Sequence, residues 1–177
     1  MRSILSWLGL DRTDSGPEQT PLRELVTALD RLEPERAQYL ARFAYLLGRV
    51  AHADRHVSED ETRTMERLVR QEGGLDADQA MLVVSLAKTS NQLFGGTADF
   101  IVAREFGGEA TYEQKLALVR CLFALSAADS GISMAEESEI HRIANELRID
   151  PADLTALRVA HQAHLPGLTS RPGGETR

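Results

Sequence analysis

Residues 53–68 read ADRHVSEDETRTMERL, and residues 128–143, 75 positions later, read ADSGISMAEESEIHRI. Ala53/Ala128, Asp54/Asp129, Ser58/Ser133, Glu61/Glu136 and Arg67/Arg142 are identical pairs. Val57/Ile132, Met65/Ile140 and Leu68/Ile143 are conservative ones, and upstream Leu47 falls opposite Leu122 and Val50 opposite Leu125. A chain that repeats a segment in this way is expected to repeat a supersecondary unit. Here the unit is a helix, a short polar loop opened by Asp, and a second helix capped by Ser.

Working outward, the whole chain has a helical rhythm. A helix is expected from about Pro21, with Leu22, Leu25, Val26 and Leu29 on one face. Pro34 suits the first turn of the next, where its missing N–H costs nothing. That helix runs to about Ala53, with Leu40, Phe43, Ala44, Leu47 and Ala51 as its apolar stripe. Ser58 opens another, stopped by Gly73-Gly74. A helix over 76–89 carries Met81, Val84 and Leu86. Thr97 opens a short one through Phe100, Ile101 and Phe106, which Gly107-Gly108 is expected to break. Thr111–Asp129 is the long apolar helix of the second half, Ser133 to about Arg148 its successor, and Pro151 begins the last. No strand pattern is evident, so the fold class is all-α, with about seven to eight helices.

The 177 residues suffice for one domain with a sizeable core. Residues 1–16 read as an N-terminal arm, 17–164 as the helical domain and 165–177 as a disordered tail. Net charge is −7, from 20 basic and 27 acidic side chains, which excludes a general phosphate-backbone binder and predicts no nucleic-acid partner. Cys121 is the only cysteine, so no intrachain disulfide can form, and its apolar neighbours predict an inert buried thiol. No run approaches the about 18 apolar residues of a membrane span. A cytoplasmic location is therefore expected. The arm carries Ile4, Leu5, Trp7, Leu8 and Leu10; it reads as docking on the domain, with membrane contact through residues 1–10 as the weaker reading.

Four carboxylates carry the candidate chemistry. Phe43, Leu47 and Ala51 lead, at the next helical step, to Asp54; Leu118, Leu122 and Leu125 lead to Asp129. Read backward, Leu68 and Met65 lead to Glu61, and Ile143 and Ile140 to Glu136. Each unit thus points one Asp and one Glu inward. A carboxylate so placed needs donors, a cation or a proton. Oxygen ligands suit a hard divalent cation, Ca²⁺ or Mg²⁺, rather than Zn²⁺. Ser58-x-x-Glu61 and Ser133-x-x-Glu136 also fit the capping box, in which the Glu serves the helix and needs no metal. His52 and His56, four apart, are absent from the second copy, which disfavours a zinc site. No nucleophile–base arrangement, phosphate-binding glycine pattern or cysteine cluster is present, so no enzyme is expected. A metal-dependent hydrolase is a weaker third class.

At AHADRHVSEDE (51–61), SAADSGISMAEE (126–137) and the stretch TYEQKLALVRCLFALSAADSGIS (111–133), the chain resembles the TerB-like family of tellurite resistance proteins, over about residues 35–160. The resemblance extends to the N-terminal domains of membrane-anchored J-domain co-chaperones. It implies a compact all-helical fold of two related helix–loop–helix units and an acidic cluster for divalent metal, in a stress or tellurite-resistance context. By position the motif residues are Asp54, Glu61, Asp129 and Glu136. The family's Gly after the Asp is replaced here by Arg55 and Ser130. The expected function is a non-enzymatic cation-binding module with an unidentified protein partner. The alternative is a metal-free interaction module of co-chaperone type whose carboxylates cap helices.

Overall fold

The computed structural model describes residues 20–51, 59–90, 99–128 and 131–165. Those residues form eight α-helices, a short 3-10 turn and no strand. The helices are α1 (Thr20–Asp30), α2 (Pro34–Ala51), α3 (Glu59–Gly73), α4 (Ala77–Ser90), α5 (Asp99–Glu109), α6 (Tyr112–Ala128), α7 (Met134–Glu146) and α8 (Pro151–Ala160), followed by the turn Gln162–His164. Expected arm residues 1–16 and tail residues 166–177 lie outside the described part.

Local chemistry sets many of the helix ends. Asp76 accepts the Gln79 N–H at 2.8 Å at the start of α4, and Asp150 accepts the Ala152 N–H at 2.8 Å before Pro151 opens α8. Thr111 and Gln114 exchange backbone and side-chain bonds at the start of α6. Gly74, at φ 64°, follows α3 in the left-handed conformation that stops a helix. After α7 the same role falls to Arg148, at φ 57°. There the Ile149 N–H reaches the Ala144 carbonyl at 2.9 Å and the Arg148 N–H the Asn145 carbonyl at 3.0 Å, which is the Schellman pattern.

Helix α2 is the hub. It packs against α1, α4, α5, α6 and α7, so it is covered nearly all round and not along one stripe. Besides Leu40, Phe43, Ala44 and Leu47, the residues Ala37, Ala41, Leu46 and Val50 are buried. The two helix pairs interlock: α3 lies on α6, while α7 lies on α2 and α6 touches α2 directly. Tyr39, Phe43 and Phe106 form an aromatic cluster with centroid separations of 5.5–6.4 Å. Gly73 sits under it; a Cβ there would come within 3.2 Å of both Phe43 Cζ and Cys121 Sγ. The last turn of α3 can approach α2 and α6 because that position carries no side chain.

One expectation is corrected. Gly107-Gly108 does not break α5, which continues to Glu109. The reason is tertiary: Glu105 and Glu109 both pair with Arg42 of α2, which holds the last turn in place. On α4, Ala80, Val83, Val84, Leu86 and Ala87 face inward, while Met81 is more than half exposed.

Cys121 is fully buried, as expected, and burial pushes its thiol well above the ordinary range. Native protein should therefore resist a thiol reagent at neutral pH and react only on unfolding. The pH dependence has a definite sign. A thiol whose folded pKa is raised keeps its proton where the unfolded chain, near pH 8.5, loses it, so its contribution to stability is intact below that pH and falls as pH rises further. Following reagent labelling alongside unfolding tests this; rapid labelling of the native protein would contradict the burial argument.

Candidate functional site

The second acidic loop is the better described of the two. Ser133 caps α7 in an extended conformation, at φ −73° and ψ 160°. Its N–H donates to Glu136 Oε2 at 2.8 Å, and its Oγ accepts the Glu136 N–H at 3.2 Å. This is a complete capping box, and it brings the Glu136 carboxylate to the positive end of the α7 dipole. Glu136 is half-buried. One of its oxygens is committed to the cap, and the other retains acceptor capacity.

Glu61 occupies the matching place in the first turn of α3 and is also half-buried and engaged. The starts of α3 and α7, at Glu59 and Met134, keep the sequence offset of 75. The other two sequence-predicted ligands, Asp54 and Asp129, lie outside the described residues, as do Ser58, His52 and His56. Among the described residues, no group of three or more His, Cys, Asp or Glu side chains is gathered closely enough to hold a metal ion.

A polar feature absent from the sequence reading joins α2 to α7. Arg49, near the C-terminal end of α2, has a side chain only 6% exposed. Its Nε donates to Glu139 Oε1 at 2.8 Å and its Nη1 to Glu146 Oε2 at 2.9 Å, while Nη2 lies 2.7 Å from Glu139 Oε1. One guanidinium thus ties α2 to two carboxylates seven residues apart on α7. Two turns earlier on α2, Arg42 makes the corresponding fork with Glu105 and Glu109 of α5. The available signal was the shared spacing of seven, Arg42 to Arg49 and Glu139 to Glu146. It marks one face of each helix.

Ser126, in the last turn of α6 and three residues before Asp129, was missed as well. It is 3% exposed, and its hydroxyl has no hydrogen-bond partner among the described residues. Buried hydroxyls are normally satisfied by protein, water or an ion, so an orphan here marks a place where such a partner would be stabilising.

On the far side of the second loop, Gly131 has φ 105°, a conformation that disfavours any L side chain. Ile132 is buried, and Arg158 of α8 pairs with Glu137 at 2.6 Å. No helix among the described residues is long and apolar enough to cross a membrane.

A family model described as TerB, tellurite resistance protein TerB, matches residues 40–159, more than half of the chain. Comparison with curated proteins and with solved structures returns no match.

Proposed function

Starting from the chain's membership of the TerB family, we propose that it is a non-enzymatic module that binds a divalent cation through Asp54, Glu61, Asp129 and Glu136. The observation that carries this is the doubled Asp-x6-Glu spacing, with its two described glutamates at equivalent first-turn positions of α3 and α7. The donor chemistry fits: carboxylate oxygens, one of them on Glu136 left over from the cap, are the ligands of a hard cation. The hydroxyl of Ser126, three residues before Asp129 in the sequence and without a hydrogen-bond partner among the described residues, is a further oxygen of the same kind. A bound ion would supply charge neutralisation across the two units. The protein's own part is to present the oxygens and to hold the two helix pairs in register. A tellurite-resistance or stress role, a cytoplasmic site and a protein partner belong to this reading.

The capping box supports a second reading, a metal-free interaction module in which Glu136 serves α7 alone. The two are separated by thermal unfolding of chelator-treated protein with and without Ca²⁺, Mg²⁺, Mn²⁺ and Zn²⁺. An ion at a hundredfold excess over its Kd should stabilise the fold by about 2.7 kcal/mol. The shift should be selective for Ca²⁺ or Mg²⁺ and should vanish in Asp129→Asn. In parallel, Ser133→Ala should lower stability by about 1 kcal/mol with or without metal. If no ion moves the midpoint while Ser133→Ala still costs this much, the metal-free reading replaces the first.

A further inference from the structure

The segment after α8 folds back onto the second loop. The Ile132 N–H donates to the His164 carbonyl at 2.7 Å. The same carbonyl would lie 3.2 Å from a Cβ at Gly131, so the loop and the segment fit only because residue 131 is glycine. Leu165, placed by the sequence reading at the start of the tail, is 1% exposed and belongs to the core. His161 stacks on the buried Phe123 ring at 5.6 Å and closes α8 through Nδ1, 3.0 Å from the Leu157 carbonyl. Between these anchors Gln162, Ala163 and His164 are exposed. Residues 161–165 lie beyond the stretch matched by the family model, which ends at 159.

We propose that residues 161–165 form a releasable C-terminal latch on the entrance to α7. Docked, Leu165 and the His164 carbonyl fix Gly131–Ser133, and through the cap they fix Glu136. Released, the Ile132 amide turns to water and the entrance to α7 is free to shift. An exposed three-residue turn between the half-buried His161 and the buried Leu165 can open without unfolding α2 or α6. The latch would thereby couple events at the C-terminus to the candidate site. Its existence does not depend on cation binding.

Amide hydrogen exchange on the full chain tests it. In Leu165→Glu the Ile132 amide should exchange at least about tenfold faster, while amides of Leu46, Leu47, Leu122 and Phe123 keep their protection. Leu165→Met should restore the wild-type rate. Unchanged exchange at Ile132, or equal acceleration throughout α2 and α6, would overturn the proposal. If Leu165→Glu does not fold, the wild-type protein in sub-denaturing guanidinium decides. The Ile132 amide should then exchange through an opening insensitive to denaturant and faster than the α6 core. Coincidence with the α6 core at all denaturant concentrations rejects the latch. Because this readout needs no metal, a negative ion titration would remove the cation reading and leave the latch standing.

Discussion

Arg49→Leu is expected to destabilise the protein by about 3–5 kcal/mol, read as a lower denaturation midpoint at unchanged slope. The substitution keeps an apolar body in the space beside α2 and deletes the charge. Glu139 and Glu146, whose side chains are 17% and 16% exposed, then remain half-sequestered. Glu139 keeps Arg142 as a partner, so most of the cost should fall on Glu146. Adding Glu146→Leu to Arg49→Leu should therefore recover part of the loss, because removing both charges is less costly than stranding one. Arg49→Lys should fail to rescue, since an ammonium cannot present the planar fork that reaches both carboxylates. High salt should change the wild-type stability little through this pair, because buried charges are poorly screened. A loss within 0.5 kcal/mol, the range of about ±0.5 kcal/mol typical of surface substitutions, would mean that the cluster is not structural.

Phe43→Ala should cost a similar amount, about 3–5 kcal/mol, for a different reason. Phe43 is fully buried on α2, facing α5 and the Gly73 end of α3. Its ring meets Tyr39 at 5.9 Å and Phe106 at 6.4 Å, and its edge fills the space above Gly73. Deletion opens a cavity bordered by three helices that are each held by other contacts, so collapse into it is limited. Phe43→Leu should cost less than the alanine change, which separates a volume effect from loss of the aromatic edges. If Phe43→Ala and Phe43→Leu were equally mild, the helices would be shown to close over the gap.

The agreement between sequence and structure follows the range of the interactions involved. Ser133, Asp150, Pro151 and Gly74 act within a turn of where they stand, so the start of α7, the start of α8 and the end of α3 were legible from residues alone. The capping box at Ser133 and Glu136 was legible for the same reason. Gly107-Gly108 misled because its local preference to end a helix is overridden by Arg42, 65 positions earlier in the chain than Gly107.

By itself the sequence determined the all-helical class, the doubled Asp/Glu motif, the family and most helix boundaries. These depend on hydrophobic period, caps and a repeated pattern, all carried by neighbouring residues. Only the tertiary structure decided that α2 is covered nearly all round and that Arg42 and Arg49 are its polar seam. It also decided that Ser126 is buried without a hydrogen-bond partner among the described residues and that Leu165 returns to the core, next to the His164 carbonyl that Ile132 binds. Each of these depends on which helix faces which, and that is set by the joint packing of side chains distant in the chain, where no local preference has a say.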